Sequence, residues 1–107
     1  MPRIIANSGV ITQINVFDAH PGHAQDLIAL LQDAARAASE VDGWMSASLH
    51  LSVDSDRVVN YAQCRDHDAW KLVMARLHQG EFLTRNKALG TAHPGLYRPV
   101  FTLERNG

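Results

Sequence analysis

Residues 45–64, MSASLHLSVDSDRVVNYAQC, contain the two segments that decide the fold. Apolar and polar residues alternate from Met45 to Ser52, which is the period of a strand with one buried face. The predicted apolar face consists of Met45, Ala47, Leu49 and Leu51. The turn-forming cluster DSDR at 54–57 follows, and Val58 to Cys64 then returns as a second strand. This stretch therefore predicts an antiparallel hairpin.

The segments before the hairpin predict a strand and a long helix. Residues alternate again from Val10 to Phe17, which indicates the first strand. From Ala24 to Val41 the apolar residues recur at helical spacing, and Asp42-Gly43 supplies a stop signal. The sequence here predicts an amphipathic helix that closes at the glycine.

The segments after the hairpin predict a broken helix and a final strand. Asp66 stands where the N-cap of a second helical region belongs, and Gly80 interrupts that region before a second piece from Glu81 to Leu89. The tripeptide HPG at 93–95 is interpreted as the end of this region. Tyr97 to Leu103 is then predicted as the last strand, with Pro99 near its start or on an edge.

The predicted order is strand, helix, strand, strand, helix, strand. This order folds most simply into one antiparallel sheet with helices on one face, a ferredoxin-like α+β domain. The domain is predicted over residues 10–104, and residues 1–9 are predicted as a flexible N-terminal arm. The second face of the sheet also needs cover, so we expect a symmetric homodimer.

Composition excludes several classes of protein. The chain has 107 residues with 46% hydrophobic residues and a formal net charge of -1, and it has no basic run, so neither nucleic acid nor a membrane is an expected partner. A cytoplasmic location is the expectation. One cysteine excludes an internal disulfide, and the six histidines lack the spacing that places two metal ligands on one face, so no metal is expected.

Several motifs carry a resemblance to a known family. They are Pro21-Gly22, DGWMSASLHLSVD at 42–54, VVNYAQCRDHDAW at 58–70 and HPGLY at 93–97. In this order and spacing the chain resembles the antibiotic biosynthesis monooxygenase domain family over nearly its whole length, and NYAQ is the most specific part. The resemblance implies a dimeric α+β barrel with a pocket between sheet and helices. It also implies oxidation of a phenolic, anthrone-like or quinol-like aromatic by dioxygen, without metal or flavin cofactors.

The resemblance also assigns candidate catalytic residues. Asn60 shares a strand face with apolar residues, where an unpaired amide costs about 1 to 3 kcal/mol, so it needs a partner. In the family pattern this asparagine lines the pocket, where it would hold an oxyanion or a peroxide. Trp70 matches an aromatic that faces the substrate, and Arg85 lies within one residue of a family arginine that would pair with a phenolate. The alternatives are an Asn60 bonded to neighbouring backbone, a Trp70 in the core and a solvated Arg85.

Four further residues are predicted to contact the substrate: Asn15, Cys64, Phe82 and Asn86. Cys64 stands where the family usually has tryptophan, so the pocket is expected to be larger there or filled by Trp70. Phe82 and Asn86 share a helical face with Arg85. Asn15 matches the spacing of a haem-degrading branch, but that branch requires a tryptophan and an axial histidine where this chain has Cys64 and Asn86, which argues against haem.

Two points stay open at the level of sequence. His50 and His67 are candidate general bases only because histidine exchanges protons near pH 7. Because one fold hosts several functions, a non-catalytic dimer that binds a small molecule, or an isomerase of the same superfamily, is the alternative to a monooxygenase.

Overall fold

The computed structural model describes residues 8–105 together with Ile4 and Ala6. The predicted arm at 1–9 therefore lies mostly outside the described residues. In chain order the elements are β1 (Ile11–Ala19), α1 (Ala24–Ala38), β2 (Trp44–Leu51), β3 (Arg57–Cys64), α2 (His67–Gln79), α3 (Phe82–Asn86) and β4 (Gly90–Tyr97). No helix in this part of the chain is long and apolar enough to cross a membrane.

The sheet has four antiparallel strands in the order β2-β3-β1-β4, with the helices on one face. This confirms the predicted ferredoxin-like α+β fold. One core cluster joins β1 and β3 to α1 through Phe17, Leu27, Leu31 and Val58, which are at most 7% exposed. Burying each of these side chains contributes about 1.5 to 3 kcal/mol, so this cluster anchors α1 to the sheet.

The helix ends follow local signals in the sequence. The Asp66 carboxylate accepts a hydrogen bond from the Ala69 N–H at 2.8 Å, which confirms the predicted N-cap of α2. This bond is also the main reason that the pKa of Asp66 is lowered. The predicted break at Gly80 is present as well, and Glu81 after it adopts a left-handed backbone with φ 58°.

Helix α1 is shorter than the sequence predicts. It ends at Ala38, three residues before Val41, and the chain turns through Gly43 with φ 90°. A side chain at Gly43 would place its Cβ 2.6 Å from the Cβ of Ala69, so the glycine also allows α2 to approach.

The prediction for the final strand was wrong. The strand runs over Gly90–Tyr97, and it includes the HPG sequence that was interpreted as a stop signal. Pro94 is tolerated because β4 is an edge strand, which forms a ladder on one side only. Residues 98–105 follow without regular secondary structure, and Val100, Phe101 and Leu103 there are exposed.

The face assignment of β2 was wrong at its first residues. Trp44 pairs with Cys64 but Ser46 pairs with Gln63, so Met45 is an extra residue in a β-bulge. The bulge puts Trp44 on the helix-facing side, while Met45 is 45% exposed. From Ala47 onward the predicted alternation holds, since Ala47 pairs with Ala62 and Leu49 with Asn60.

Candidate functional site

A cleft lies between the helix-facing side of the sheet and the three helices. It holds about 760 Å³ of space between atoms, including the part open to solvent. Small side chains create this space, because α1 contributes Ala34, Ala35 and Ala38 and the sheet contributes Ala47 and Ala62. Pairs of alanines leave a gap where larger side chains would meet in an ordinary core. Most of the surface of the cleft walls is apolar.

The polar lining of the cleft consists of uncharged groups. Among the described residues they are the amides of Gln13, Asn15, Asn60 and Asn86, the indoles of Trp44 and Trp70, and the thiol of Cys64. A lining of this kind suits an aromatic molecule with a few oxygen substituents, since the walls supply apolar contact and the amides fix its orientation.

Asn60 lies in the cleft on β3, as the strand alternation predicts. Its Oδ1 atom is buried and has no hydrogen-bond partner. The predicted alternative, a bond to neighbouring backbone, is therefore absent at this oxygen. A buried amide oxygen without a partner in the chain is unfavourable for stability, and it can accept a hydrogen bond from a ligand or a water molecule.

Asn15 lies directly opposite Asn60, because the two residues pair across β1 and β3. It is 9% exposed, and its Oδ1 accepts a hydrogen bond from the backbone N–H of His93 at 3.1 Å. The predicted contact residue Asn15 is thus brought beside Asn60 on the cleft floor.

Trp70 lies in the first turn of α2 and reaches the cleft from the helix side. Its indole Nε1 is buried without a partner, and its ring packs against the His67 ring at 5.4 Å between centroids. Trp70 also packs against the cluster of Ala38, Cys64, Ala69 and Val73, so it serves the core and the cleft together. Asn60 and Trp70 therefore converge on one cleft with two unpaired polar atoms.

Cys64 is a buried thiol at the end of β3, with 4% exposure. Burial raises its pKa, and the nearby Asp66 carboxylate raises it further. The thiol therefore stays protonated at neutral pH, which disfavours a nucleophilic role.

The space beside Cys64 is occupied by an indole that sequence reasoning missed. Trp44 is the cross-strand partner of Cys64 and lines the cleft with Trp70. The sequence expectation named only Trp70 for this space. A tryptophan directly after Asp42-Gly43 is visible in the sequence, but the face of the sheet on which it lies depends on the bulge at Met45.

Phe82 and Asn86 line the cleft from α3, but Arg85 does not. Asn86 is 7% exposed, whereas Arg85 is exposed and its guanidinium carbon lies 5.2 Å from the centre of the Phe82 ring. Phe82 and Asn86 are four residues apart and share the face of α3 that meets the cleft. Arg85 lies toward the edge of that face. The structure thus does not bring Arg85 to the other predicted catalytic residues.

The two histidines considered as general bases also lie outside the cleft lining. His50 is exposed on the opposite side of the sheet and bonds to the Ser48 hydroxyl at 2.9 Å. His67 is exposed at the start of α2. Within the described residues, no group of three or more histidine, cysteine or acidic side chains is arranged to hold a metal ion.

Comparisons with known proteins agree on one family. The model of the antibiotic biosynthesis monooxygenase family matches residues 10–85. Tetracenomycin-F1 monooxygenase of Streptomyces glaucescens is 32% identical over 79 residues, which cover 70% of this chain and 68% of that protein.

Solved structures with the same fold include two oxygenases. SnoaB, a cofactor-independent oxygenase from Streptomyces nogalater, is 26% identical with a TM-score of 0.82, and the match covers 91% of this chain and 99% of that one. The ActVA-Orf6 monooxygenase of Streptomyces coelicolor, in complex with nanaomycin D, is 23% identical with a TM-score of 0.77, over 90% and 92% of the two chains. At 23% identity, the similarity to the ActVA-Orf6 monooxygenase shows a shared fold alone.

Proposed function

The chain belongs to the antibiotic biosynthesis monooxygenase family, and we propose that it is a cofactor-independent monooxygenase that oxidises a phenolic, anthrone-like or quinol-like aromatic with dioxygen. The observation that carries the proposal is the pair of buried, unpartnered polar atoms at the cleft, Asn60 Oδ1 and Trp70 Nε1. Groups that have no partner within the chain are available to a substrate. The relatives' activity as monooxygenases supports the same assignment.

The proposed reaction uses the electrons of the substrate. The aromatic loses a proton to solvent, and its delocalised anion transfers an electron to dioxygen and then forms a carbon–oxygen bond, which gives a peroxide. The peroxide takes up a proton, its O–O bond breaks with loss of water, and a carbonyl is left on the ring. One oxygen atom enters the product and the other leaves as water, so no external reductant is needed.

The protein contributes orientation, charge stabilisation and exclusion of water. The Trp70 N–H and the NH₂ group of Asn60 are hydrogen-bond donors for the oxygen on which charge develops. A half-turn of the Asn60 amide exchanges its oxygen and its NH₂ group, which have nearly the same shape. The amide can therefore present its NH₂ group to the ligand where the structure places the oxygen. The alanine-lined walls keep water from the anion and the peroxide.

Four residues are proposed to contact the substrate around this centre: Asn15, Cys64, Phe82 and Asn86. All four line the cleft. For Arg85 the proposal changes from the sequence expectation. Its guanidinium lies over the Phe82 ring, so we assign it to holding Phe82 rather than to a phenolate.

Oxygen consumption tests the proposed activity. We expect purified protein to accelerate oxygen uptake with at least one member of a panel of anthrones, naphthols and hydroquinones, with formation of quinone absorbance. A panel that gives no uptake above the uncatalysed rate would contradict the proposal.

A binding protein without turnover is the second candidate. It is favoured by Cys64 in the place of the family tryptophan and by an Arg85 outside the cleft. Saturable binding of the same aromatics, with no oxygen uptake and no change in affinity on Asn60→Ala, would support this candidate over the enzyme.

We also propose that two chains associate through the sheet face opposite the helices. Two side-chain atoms on that face, Ser46 Oγ and Gln63 Oε1, are buried without partners although no helix covers them. The same face carries the half-buried side chains of Ile14, Val16, Val59 and Tyr61. A second copy would cover this apolar surface, as in other symmetric dimers.

A further inference from the structure

The connection between α2 and α3 has its glycine one residue before the position that usually needs one. Helices commonly end with a glycine in the left-handed region, because a residue without a Cβ atom avoids the clash that others meet there. Here Gly80 has φ -86° and ψ 0°, a conformation that other residues also adopt, whereas Glu81 has φ 58° and ψ 23°. The backbone conformation therefore does not explain the glycine at 80.

The ring of Phe82 explains it. A Cβ atom at Gly80 would lie 2.7 Å from Cδ2 of Phe82 and closer still to Cε2, which is nearer than side-chain atoms approach each other. The glycine thus leaves the room in which the edge of the Phe82 ring lies. Both clashing atoms belong to a side chain, so a residue with a Cβ atom at 80 would displace the ring rather than the backbone.

Arg85 holds the same ring from another side. Its guanidinium carbon lies over the ring, 5.2 Å from the centroid, at a distance that favours cation–π attraction. Arg85 is exposed and does not line the cleft, whereas Phe82 is half-buried and does. The ring is therefore bounded by Gly80 at its edge and by Arg85 over a face, and part of its remaining surface forms a wall of the cleft.

We propose that Gly80 is a positioning residue for Phe82, and that the ring position it permits sets the size of the aromatic ligand that the cleft accepts. The proposal deepens the proposed function and rests on it only in taking an aromatic molecule as the ligand. A side chain at 80 would push the ring away from α2, and Arg85 blocks the solvent side, so the ring would move into the cleft. The lost space would exclude a larger ring system before a smaller one.

Two probes measure this size preference without turnover. We would use 2-naphthol and 2-hydroxyanthracene, which differ by one fused ring, and measure both dissociation constants by equilibrium dialysis under argon. The ratio of the two constants is the size preference. Gly80→Ala should weaken binding of the anthracene about tenfold, as is typical when one group intrudes on a packed space, and should weaken binding of the naphthalene much less.

A double-mutant cycle tests whether Gly80 acts through Phe82. Phe82→Ala removes the wall and should shift the size preference severalfold toward the anthracene. In that background Gly80→Ala should have no further effect on either dissociation constant, because the ring that it would displace is absent. Thermal melting identifies variants that fail to fold. If Gly80→Ala alone does not fold, the double variant should still fold, and its failure to do so would contradict the role of the ring.

Glu81→Gly is the matched control. It changes the neighbouring residue and removes a non-glycine side chain from a left-handed backbone, but it adds no atom beside the Phe82 ring. We expect this variant to keep the size preference of the wild-type protein and to be at least as stable. The same loss of preference in Glu81→Gly as in Gly80→Ala would assign the effect to the connection as a whole and overturn the proposal.

The outcomes are distinct from those of the oxygen assay. An unchanged size preference in Gly80→Ala, an equal loss in the Phe82→Ala background, or a wild-type protein that binds neither probe would overturn the role of Gly80 even if oxygen is consumed. A size preference that shifts as expected in a protein that consumes no oxygen would uphold this role and contradict the monooxygenase.

Discussion

At the scale of single residues, Asn60 illustrates how a site differs from a core. The strand alternation puts this amide on an apolar face, and the structure leaves its oxygen buried without a partner. Gln63, three residues along on the other face, donates to the Thr12 hydroxyl at 3.1 Å. The oxygens of both amides are buried without partners, but the Gln63 NH₂ group has a bond within the chain, whereas no side-chain hydrogen bond of Asn60 is present among the described residues.

This contrast predicts that Asn60→Ala separates activity from stability. We expect oxygen consumption to fall about 100-fold, as for loss of one oxyanion donor, while the melting temperature stays unchanged or rises. Gln63→Ala is the matched comparison and should lower the melting temperature, because the Thr12 hydroxyl loses its donor. Oxygen kinetics and calorimetry measure the two effects. A large loss of stability in Asn60→Ala would show that its amide supports the fold.

Cys64 predicts a pH dependence of stability. Burial and Asp66 raise its pKa in the folded chain, so the unfolded chain loses the thiol proton at lower pH than the folded chain. The stability contributed by the protonated thiol is therefore fully present below the ordinary thiol pKa and is lost as the pH rises toward the folded value. Urea unfolding at pH 7 to 10 should show a decline that is smaller in Cys64→Ala. Parallel declines in both proteins would contradict this assignment.

At the scale of elements, the bulge in β2 decides which aromatic side chain reaches the cleft. A regular alternation would turn Met45 inward, but the extra residue turns Trp44 inward instead. The indole then packs against the cluster that contains Cys64. A one-residue irregularity of strand pairing thus changes the shape of the cleft.

The bulge predicts unequal effects on stability for two neighbouring substitutions. Trp44→Ala should destabilise the protein by about 3 kcal/mol and alter the affinity for aromatic ligands, because a large side chain is removed from a packed position. Met45→Ala should change stability by less than about 0.5 kcal/mol, as is usual for exposed positions. Denaturant unfolding of both variants tests the assignment. A larger loss for Met45→Ala would favour the regular strand.

At the scale of the whole molecule, the uncovered face of the sheet suggests association. Ser46 Oγ and Gln63 Oε1 are buried there without partners, and Tyr61 lies on the same face two residues before Gln63. The formal net charge of -1 adds little electrostatic repulsion between two copies.

We therefore predict a homodimer in sedimentation velocity experiments at micromolar concentration. Tyr61→Arg should shift the protein toward monomer, since a charge would be buried in the interface. Leu72→Arg is the control, because Leu72 is 57% exposed on α2 at the helix side and should leave the association unchanged. A wild-type protein that sediments as a monomer would exclude this interface.

The sequence by itself determined what depends on local periodicity and local hydrogen bonds. The faces of β3, the Asp66 cap, the break at Gly80 and the fold class all follow from spacing along the chain, since neighbouring residues set these features. The position of Asn60 on the cleft floor belongs to this group, because strand alternation alone separates it from Tyr61 and Gln63.

Only the tertiary structure decided the features that depend on pairing between distant segments. The extent of β4 follows from its ladder with β1, and the Met45 bulge follows from the register between β2 and β3. The Asn15 amide is oriented by a residue 78 positions away. These contacts form at large separation in sequence, where local propensity carries no information about the partner, so no pattern along the chain could predict them.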